Sequence, residues 1–460
     1  MTVRTQSSAV SAMAENWPLI AALIGGTTAM RKKKDLMPRW PSEQEKSYEA
    51  RLSVATLFPA FQRTIEVLAS KPFSKPITIG EDVPERLKKW TENIDLQGRN
   101  LHTFAAAIGQ EALGYGFSGI LVDYPPTKDA DGNLLYPTQA EEAAAGVRPY
   151  FVHIRPQQLV GWRSKQVNGA EVLTQLRILE CIVEDDGEFG EKEIEQVRVL
   201  MPGRWQTWRK STAPTAKDEW ALFEEGTTSL TVIPFVAVYG KREGFMKAAP
   251  PLLEMAHMNV KHWQSQSDQD TILHVARVPI LSVTGIQDEN WTLTVGAAAA
   301  VKLPLDSELK FVEHTGAAIE AGRKSLLDLE DQMRQAGAEL LVIKPGNITE
   351  SQTLADNEQG ACALQRIVGD LEDGIDQALQ FMAMWVGEQQ GGHVEIYDDF
   401  GAATLAEASA ELLLKMKQSG DLSRQTLHGE YKRRGILSPE FDSATEEDLI
   451  AAQGPALGVV

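Results

Sequence analysis

The sequence predicts an α+β chain of several domains, on three observations. Apolar residues recur at three- and four-residue steps through the first quarter of the chain and again beyond residue 250, the period of amphipathic helices. Between these regions, Tyr150 to about Tyr239 alternates β-branched and aromatic residues with turn signals, the pattern of half-buried strands. At 460 residues the chain can form about two to four cores. With 43% apolar and 24% charged residues it belongs with folded chains, not disordered ones.

In "SYEARLSVATLFPAFQRTIEVLAS" (47–70), Tyr48, Leu52, Ala55, Leu57, Phe61, Ile65 and Leu68 fall near helical spacing, and Pro59 predicts a break or kink. "LHTFAAAIGQEALGYGFSGILVDYPP" (101–126) begins as a small-residue helix and ends as a short buried strand, GILVDY, stopped by Pro125 and Pro126. "KDADGNLLYP" reads as a surface turn; its glycine does not fall where an EF-hand calcium loop needs one. "YFVHIRP", "VLTQLRILECIVED", "IEQVRVLMPGRWQTWRK" and "SLTVIPFVAVYG" predict one meander-like sheet packed on the N-terminal helices.

A helix is predicted from Pro251 to about Arg277, then short strands and turns over 278–314, and a second helix over 317–341. The loop "VIKPGNITESQ" (342–352) leads into a long helix over 353–387. There Leu364, Val368, Leu371, Ile375, Leu379, Met382 and Val386 trace one stripe, on a rod on the order of 50 Å long. "TLAEASAELLLKMKQSGDLSRQTLHGEYKRRGILSPEFD" predicts a helix, a Gly-Asp turn and a helix capped by Ser423, ahead of a loose acidic tail. The first long helix is anomalous. Its middle, "QSQSDQDT" (264–271), has no apolar side chain on any face, so the chain's own core should be unable to grip it.

Charge and motifs narrow the function. A formal charge of −19 argues against a chain that clings to nucleic acid as a whole. Two cysteines, Cys181 and Cys362, give no disulfide framework. The apolar stretch WPLIAALIGG (17–26) runs into RKKK (31–34) with no export cleavage pattern, and nothing approaches the ~20 apolar residues of a membrane span. No phosphate loop, HExxH or GxSxG motif occurs. His257, His262 and His274 lack the one-face spacing of a metal site, and Asp268 and Asp270 point to different sides of a helix, a solvated face. "LSRQTLHGEYKRRG" has the outline of a helix-turn-helix reader. Its basic residues Lys432, Arg433 and Arg434, however, sit at the helix C-terminus, where they complement the dipole. No catalytic, cofactor or metal residue is therefore expected.

Taken over nearly the whole chain, the order of elements resembles a tailed-phage portal protein. The similarity is carried by long blocks: "WPLIAALIGGTTAMR", "SYEARLSVATLFPAFQRTIEVLASKPFSKPI", "DLQGRNLHTFAAAIGQEALGYGFSGILVDYPP", "HWQSQSDQDTILHVARVPILSVTG" and "GRKSLLDLEDQMRQAGAELL". The resemblance implies a homo-oligomeric ring of about twelve subunits at one capsid vertex of the virion, made in the host cytoplasm. Double-stranded DNA would pass through it, and the large terminase, the major capsid or scaffolding protein and a head–tail adaptor would dock on it, with no membrane involved. It assigns residues 1–245 to a wing, 246–277 and 315–341 to paired stem helices and 278–314 to a clip. A tunnel loop would occupy 342–352, a long wing helix and its return 353–400, and a crown with the tail 401–460.

On that assignment Lys344, Asn347 and Thr349 of the tunnel loop and Lys261 and Gln264 of the stem are candidate channel residues. Asp288, Glu289, Trp291 and Lys302 of the clip are candidates to face the terminase. An acidic wall with a few placed cations would centre a duplex and let it slide. The polar stem would be held by neighbouring copies and channel water. The alternatives are a virion ring component with no packaging role, an enzyme whose nucleophile–base pair is not visible, and a DNA-binding regulator acting through residues 404–437.

Overall fold

The computed structural model describes residues 2–126, 133–211, 219–277, 280–285, 306–312, 316–341, 362–399, 406–433, 436–438 and 441–452. In chain order, α1 (Ser8–Ala14), α2 (Trp17–Ile24), α3 (Gly26–Lys32), α4 (Glu45–Val54) and α5 (Ala60–Ser70) come first. Next are β1 (Thr78–Ile79), α6 (Glu85–Trp90), α7 (Leu101–Tyr115), β2 (Phe117–Asp123), α8 (Gln139–Ala144) and β3 (Tyr150–Ile154). The strand-rich block holds β4 (Leu159–Val167), β5 (Ala170–Asp186), β6 (Gly190–Met201), β7 (Arg204–Lys210) and β8 (Trp220–Thr227). It ends with β9 (Phe235–Tyr239), β10 (Lys241–Gly244) and β11 (Lys247–Ala249). Then follow α9 (Leu253–Ala276), β12 (Ile280–Thr284), β13 (Glu308–Val312), α10 (Ala317–Ala338), α11 (Ala363–Val386) and β14 (Val394–Glu395). The last helices are α12 (Ala406–Ser419), α13 (Arg424–Arg433) and α14 (Ser443–Ala452). The mixture of helix and sheet is the predicted α+β class.

By packing, the chain forms two units, each discontinuous in sequence. One combines Met1–Ser11, Glu66–Pro250 and Ala338–Val460; the other combines Ala12–Ile65 and Pro251–Gly337. In the first, a three-stranded sheet of order β3-β2-β9 is covered by α7 and α11. Every residue of β2 from Phe117 to Val122 is buried, as a central strand beneath helices requires. The predicted stripe of α11 faces this core, with Leu364, Val368, Leu371, Ile375, Leu379 and Met382 buried and Val386 half-buried. The helix starts at Ala363 behind an extended Cys362, so it spans about 36 Å instead of roughly 50 Å, and 353–361 lie outside the described residues. Gly374 lies against Val236 and Val238 of β9, where a Cβ would make ordinary contact at 3.4 Å. Asn100 caps α7 by accepting from the Thr103 N–H at 2.9 Å. Gly116 closes it in the left-handed conformation, φ 84°, against the backbone of Ala249.

The same unit holds a second sheet, the antiparallel meander β4-β5-β6-β7-β8. One sheet was expected over Tyr150–Tyr239; the described strands of that stretch fall in two. The strand run breaks because β9 returns to pair with β2, from Phe117↔Tyr239 to Leu121↔Phe235, instead of extending the meander. Another difference lies at the C-terminus. Within the segment expected as a loose tail, Ser443–Ala452 is helical, its first turn capped by Asp442, which accepts the Thr445 N–H at 2.8 Å. Ser423 caps α13 as predicted, accepting from Thr426 N–H at 3.1 Å.

In the second unit, α4 and α5 flank the predicted break at Pro59, and Tyr48, Leu52, Leu57, Phe61 and Ile65 are buried. β12 pairs antiparallel with β13 from Ile280↔Val312 to Thr284↔Glu308, so the described strands after α9 and before α10 form a ribbon. Leu326, Leu329, Met333 and Gly337 make the buried stripe of α10.

Candidate functional site: the helix–ribbon–helix segment

The segment α9–β12–β13–α10 carries the anomalous stretch, and the structure overturns the expectation that the chain cannot grip it. Ser267 and Gln269 are 2% and 5% exposed within the protomer. The grip is polar. Gln264 donates its amide to the Leu36 carbonyl at 3.0 Å, and Gln269 donates to the Ile319 carbonyl of α10 at 2.9 Å. Thr271 folds back on the Ser267 carbonyl at 2.9 Å, and Gln266 donates to Asp270 at 2.8 Å. Buried amides are tolerable where each finds a partner, and here the α9 amides reach backbone carbonyls of the facing segments, which have a second lone pair to offer.

One turn towards the N-terminus, Asn259 is fully buried and bonds twice to the start of α5. Its Oδ1 accepts the Phe61 N–H and its Nδ2 donates to the Phe58 carbonyl, each at 2.9 Å. The free N–H of a helix start is thereby satisfied from another helix. Beside it, Trp263 is completely buried, and His262 lies 3.5 Å from the Glu330 carboxylate of α10. Burial pushes the His262 imidazole below its ordinary range, against the opposing pull of Glu330.

The hub of this seam is Arg51. It stands in the apolar stripe of α4 and is 7% exposed. Its Nε and Nη2 donate to the two oxygens of Glu43, both at 2.8 Å, and its Nη1 reaches Ser267 Oγ at 3.4 Å. Its guanidinium lies 4.2 Å over the Trp40 ring. The bond from Arg51 holds the Glu43 carboxyl below the usual carboxylate range. Asp268 is pushed up by burial, with Arg51 pulling the other way, so it is not the solvated carboxylate the sequence suggested.

Of the predicted site residues, only Lys261 and Gln264 lie within the described residues. Lys261 is exposed on α9; Gln264 is half-buried in the bond to Leu36. Lys344, Asn347, Thr349, Asp288, Glu289, Trp291 and Lys302 lie outside them. His257 and His274 are exposed while His262 is buried, so the three do not converge. Among the described residues no three His, Cys, Asp or Glu side chains group as a metal site, and no helix is long and apolar enough to cross a membrane. Sequence reasoning missed Arg51, Glu43 and Asn259. The available signal was Arg51 itself, a charge between Tyr48 and Leu52 where the helical stripe calls for an apolar residue.

Residues 251–386, from α9 to the end of α11, match the family described as a domain of unknown function (DUF4055). No curated protein matches the chain in sequence. Among solved structures, the neck of an empty GTA particle, computed with C6 symmetry, aligns at 12% identity over 80% of this chain and 87% of that one, with a TM-score of 0.43. The neck of the native GTA particle, computed with C12 symmetry, gives 12%, 80%, 88% and 0.43. A chain of the virion of the native gene transfer agent particle gives 10%, 90%, 98% and 0.42. Likeness of this degree bears on neither function nor assembly.

Proposed function

We propose that this chain is the portal subunit of a tailed bacteriophage. In this reading it forms a ring at one capsid vertex, passes double-stranded DNA during packaging and ejection, and docks the terminase and the tail adaptor. The observation that carries the reading is the α9–β12–β13–α10 hairpin. Helices of 24 and 22 residues are tied side by side through Gln269 and Ile319 and joined through an antiparallel ribbon. That is the stem–clip–stem order implied by the long sequence blocks. The longer helix reaches about 36 Å, enough to line a passage through a thick wall. The polar stretch QSQSDQDT lends the reading nothing, since Gln264, Ser267 and Gln269 already find partners within the chain.

On this reading the chain works by shape and assembly, with no reactive group and no cofactor. Its charge of −19 keeps the wall from gripping phosphate, and Lys261, exposed on α9, is a candidate for one of the few placed cations. Lys344, Asn347 and Thr349 of the tunnel loop and Asp288, Glu289, Trp291 and Lys302 of the clip keep the roles the resemblance gives them. The experiment is native mass spectrometry of the purified chain with negative-stain imaging. Closed rings of about twelve copies around a hole wide enough for a duplex are expected. A compact monomer that never closes at high concentration would sink the reading. Rings that fail to support packaging in a reconstituted reaction would move the chain to a connector without a packaging role.

A further inference from the structure

The β5–β6 hairpin outruns its sheet. β4 pairs with β5 only as far as Ile178, and β7 pairs with β6 only from Gln196 onward. Beyond those points Cys181–Asp186 and Gly190–Glu195 pair with each other alone, closing on a turn at Gly187, φ 80°. A two-stranded ribbon this exposed is marginal in water, although its base is tied down where Glu184 meets Arg209 at 2.7 Å and Glu195 meets Arg4 at 3.3 Å. This one is also built against itself. Residues 181–195 carry seven acids against one lysine, and Asp185 stands directly opposite Glu191, a like-charge pair that weakens a ribbon. At its tip Phe189 is 92% exposed, with Val183 55% exposed behind it.

The complement of that arm exists in the same chain. Residues 12–65 hold eight basic residues against five acidic ones, within a molecule of net charge −19. Four of the basic residues are consecutive, Arg31 to Lys34, and Lys32 and Lys34 are exposed. Arg31 donates to the Ala55 carbonyl at 2.9 Å, which sets Val54, 67% exposed, beside the cluster. A basic patch with an apolar residue next to it matches an acidic ribbon with an aromatic tip.

We infer that the β5–β6 arm of one copy docks on the Arg31–Lys34 patch of a second copy, with Phe189 on Val54 and the ribbon carboxylates on the lysines. The patch and the arm lie on different parts of the chain, so the contact is head-to-tail and each copy has one of each to offer. The inference deepens the ring reading by naming a contact between its subunits.

The test places a benzophenone at the tip. A Phe189→Cys chain in a Cys181→Ser background is labelled, and isotopically heavy and light copies are mixed, assembled and irradiated. Intermolecular cross-links to residues 31–34 or 54 are expected. Lys32→Glu with Lys34→Glu should lower their yield about tenfold, and adding Asp185→Lys with Glu191→Lys should restore it. Assembled particles whose cross-links fall elsewhere, or within one chain, or are absent, would overturn the inference and leave the ring reading standing. Cross-links at the patch in copies that never close into rings would uphold the contact and remove the ring.

Discussion

α9 and α11 have the same length, 24 residues, and differ in what fixes them, because α9 adds a polar seam to the apolar anchor of Met255, Ala256 and Trp263. α11 buries one aliphatic stripe from Leu364 to Met382 against the β3-β2-β9 sheet, and most of those positions would accept another apolar residue of similar volume. α9 is held by Asn259, Gln264, Ser267 and Gln269, each matched to a particular group elsewhere in its unit. An apolar stripe is tolerant in register. A polar seam is not, because a helix that slides or turns leaves several buried amides without partners at once. On the proposal that α9 lines a channel, fixed register is the useful property.

The sharpest way to break this contrast is at Arg51. Arg51→Met removes one partner of a pair whose side chains are 5% and 3% exposed and strands the Glu43 carboxylate, at a cost of about 3–5 kcal/mol. Adding Glu43→Leu should recover most of that loss in urea unfolding, since an apolar pair can replace a buried ionic one. If the double variant were as unstable as the single, the hub would matter for its bond to Ser267 and not for its charge. The pair also carries a pH signature. Because Glu43 titrates below its unfolded value, the stability it provides is present above that value and disappears as the pH falls through the folded one.

On the apolar side, Leu379→Ala in α11 should cost about 2–5 kcal/mol by leaving a cavity under the three-stranded sheet. Leu379→Met should cost less than about 1.5 kcal/mol, because volume is all the position asks for. At Asn259 the isosteric swap should fail. Asn259→Leu keeps the bulk but abandons the Phe61 N–H and the Phe58 carbonyl, at about 1–3 kcal/mol for each buried group left unpaired. Hydrogen exchange at Phe61 would report the loss directly.

This contrast also explains what was legible in the sequence. The stripe of α11, the break at Pro59, the Ser423 cap and the extents of α9 and α10 follow from local period and capping, and all stand in the structure. The seam of α9 does not follow from period, because its partners lie far away in the chain. Arg51 is 216 residues from Ser267, and Leu36 is 228 from Gln264. A polar run reads as solvent-facing unless those partners are known. The second sheet was hidden for a similar reason, since nothing local to Phe235–Tyr239 shows that it pairs with a strand more than a hundred residues earlier. The candidate channel residues came from the resemblance alone, and only Lys261 and Gln264 fall on described backbone.

The first unit offers a polar pair of its own as a control. Ser118 and His153 lie 2.9 Å apart across β2 and β3. Burial first, then Arg155 and Arg99, hold the imidazole down to about 4. An unfolded His titrates near 6.5. The unfolded chain therefore binds the extra proton first, so the stability from neutral His153 is complete above that value and is lost as the pH falls towards 4. The loss is worth roughly 3 kcal/mol at its limit, from the 1.36 kcal/mol carried by each pH unit. His153→Phe should flatten that part of the acid limb of the Tm profile; an unchanged limb would place the titrating group elsewhere.

The smallest expected effect is the most specific to the seam. Gly322 of α10 lies directly under the Gln269 amide, and a Cβ there would sit 2.0 Å from its Oε1. Gly322→Ala adds helix propensity worth up to about 1 kcal/mol, so on an ordinary exposed helix it would stabilise. Here it must displace the amide and with it the bond to Ile319, a term of similar size and opposite sign. The net change in urea midpoint should be near zero or slightly destabilising. Placed on a Gln269→Ser background, where the amide is gone, the same substitution should turn stabilising. A gain of equal size in both backgrounds would show that Gln269 holds nothing, and that the seam rests on Asn259, Gln264 and Ser267.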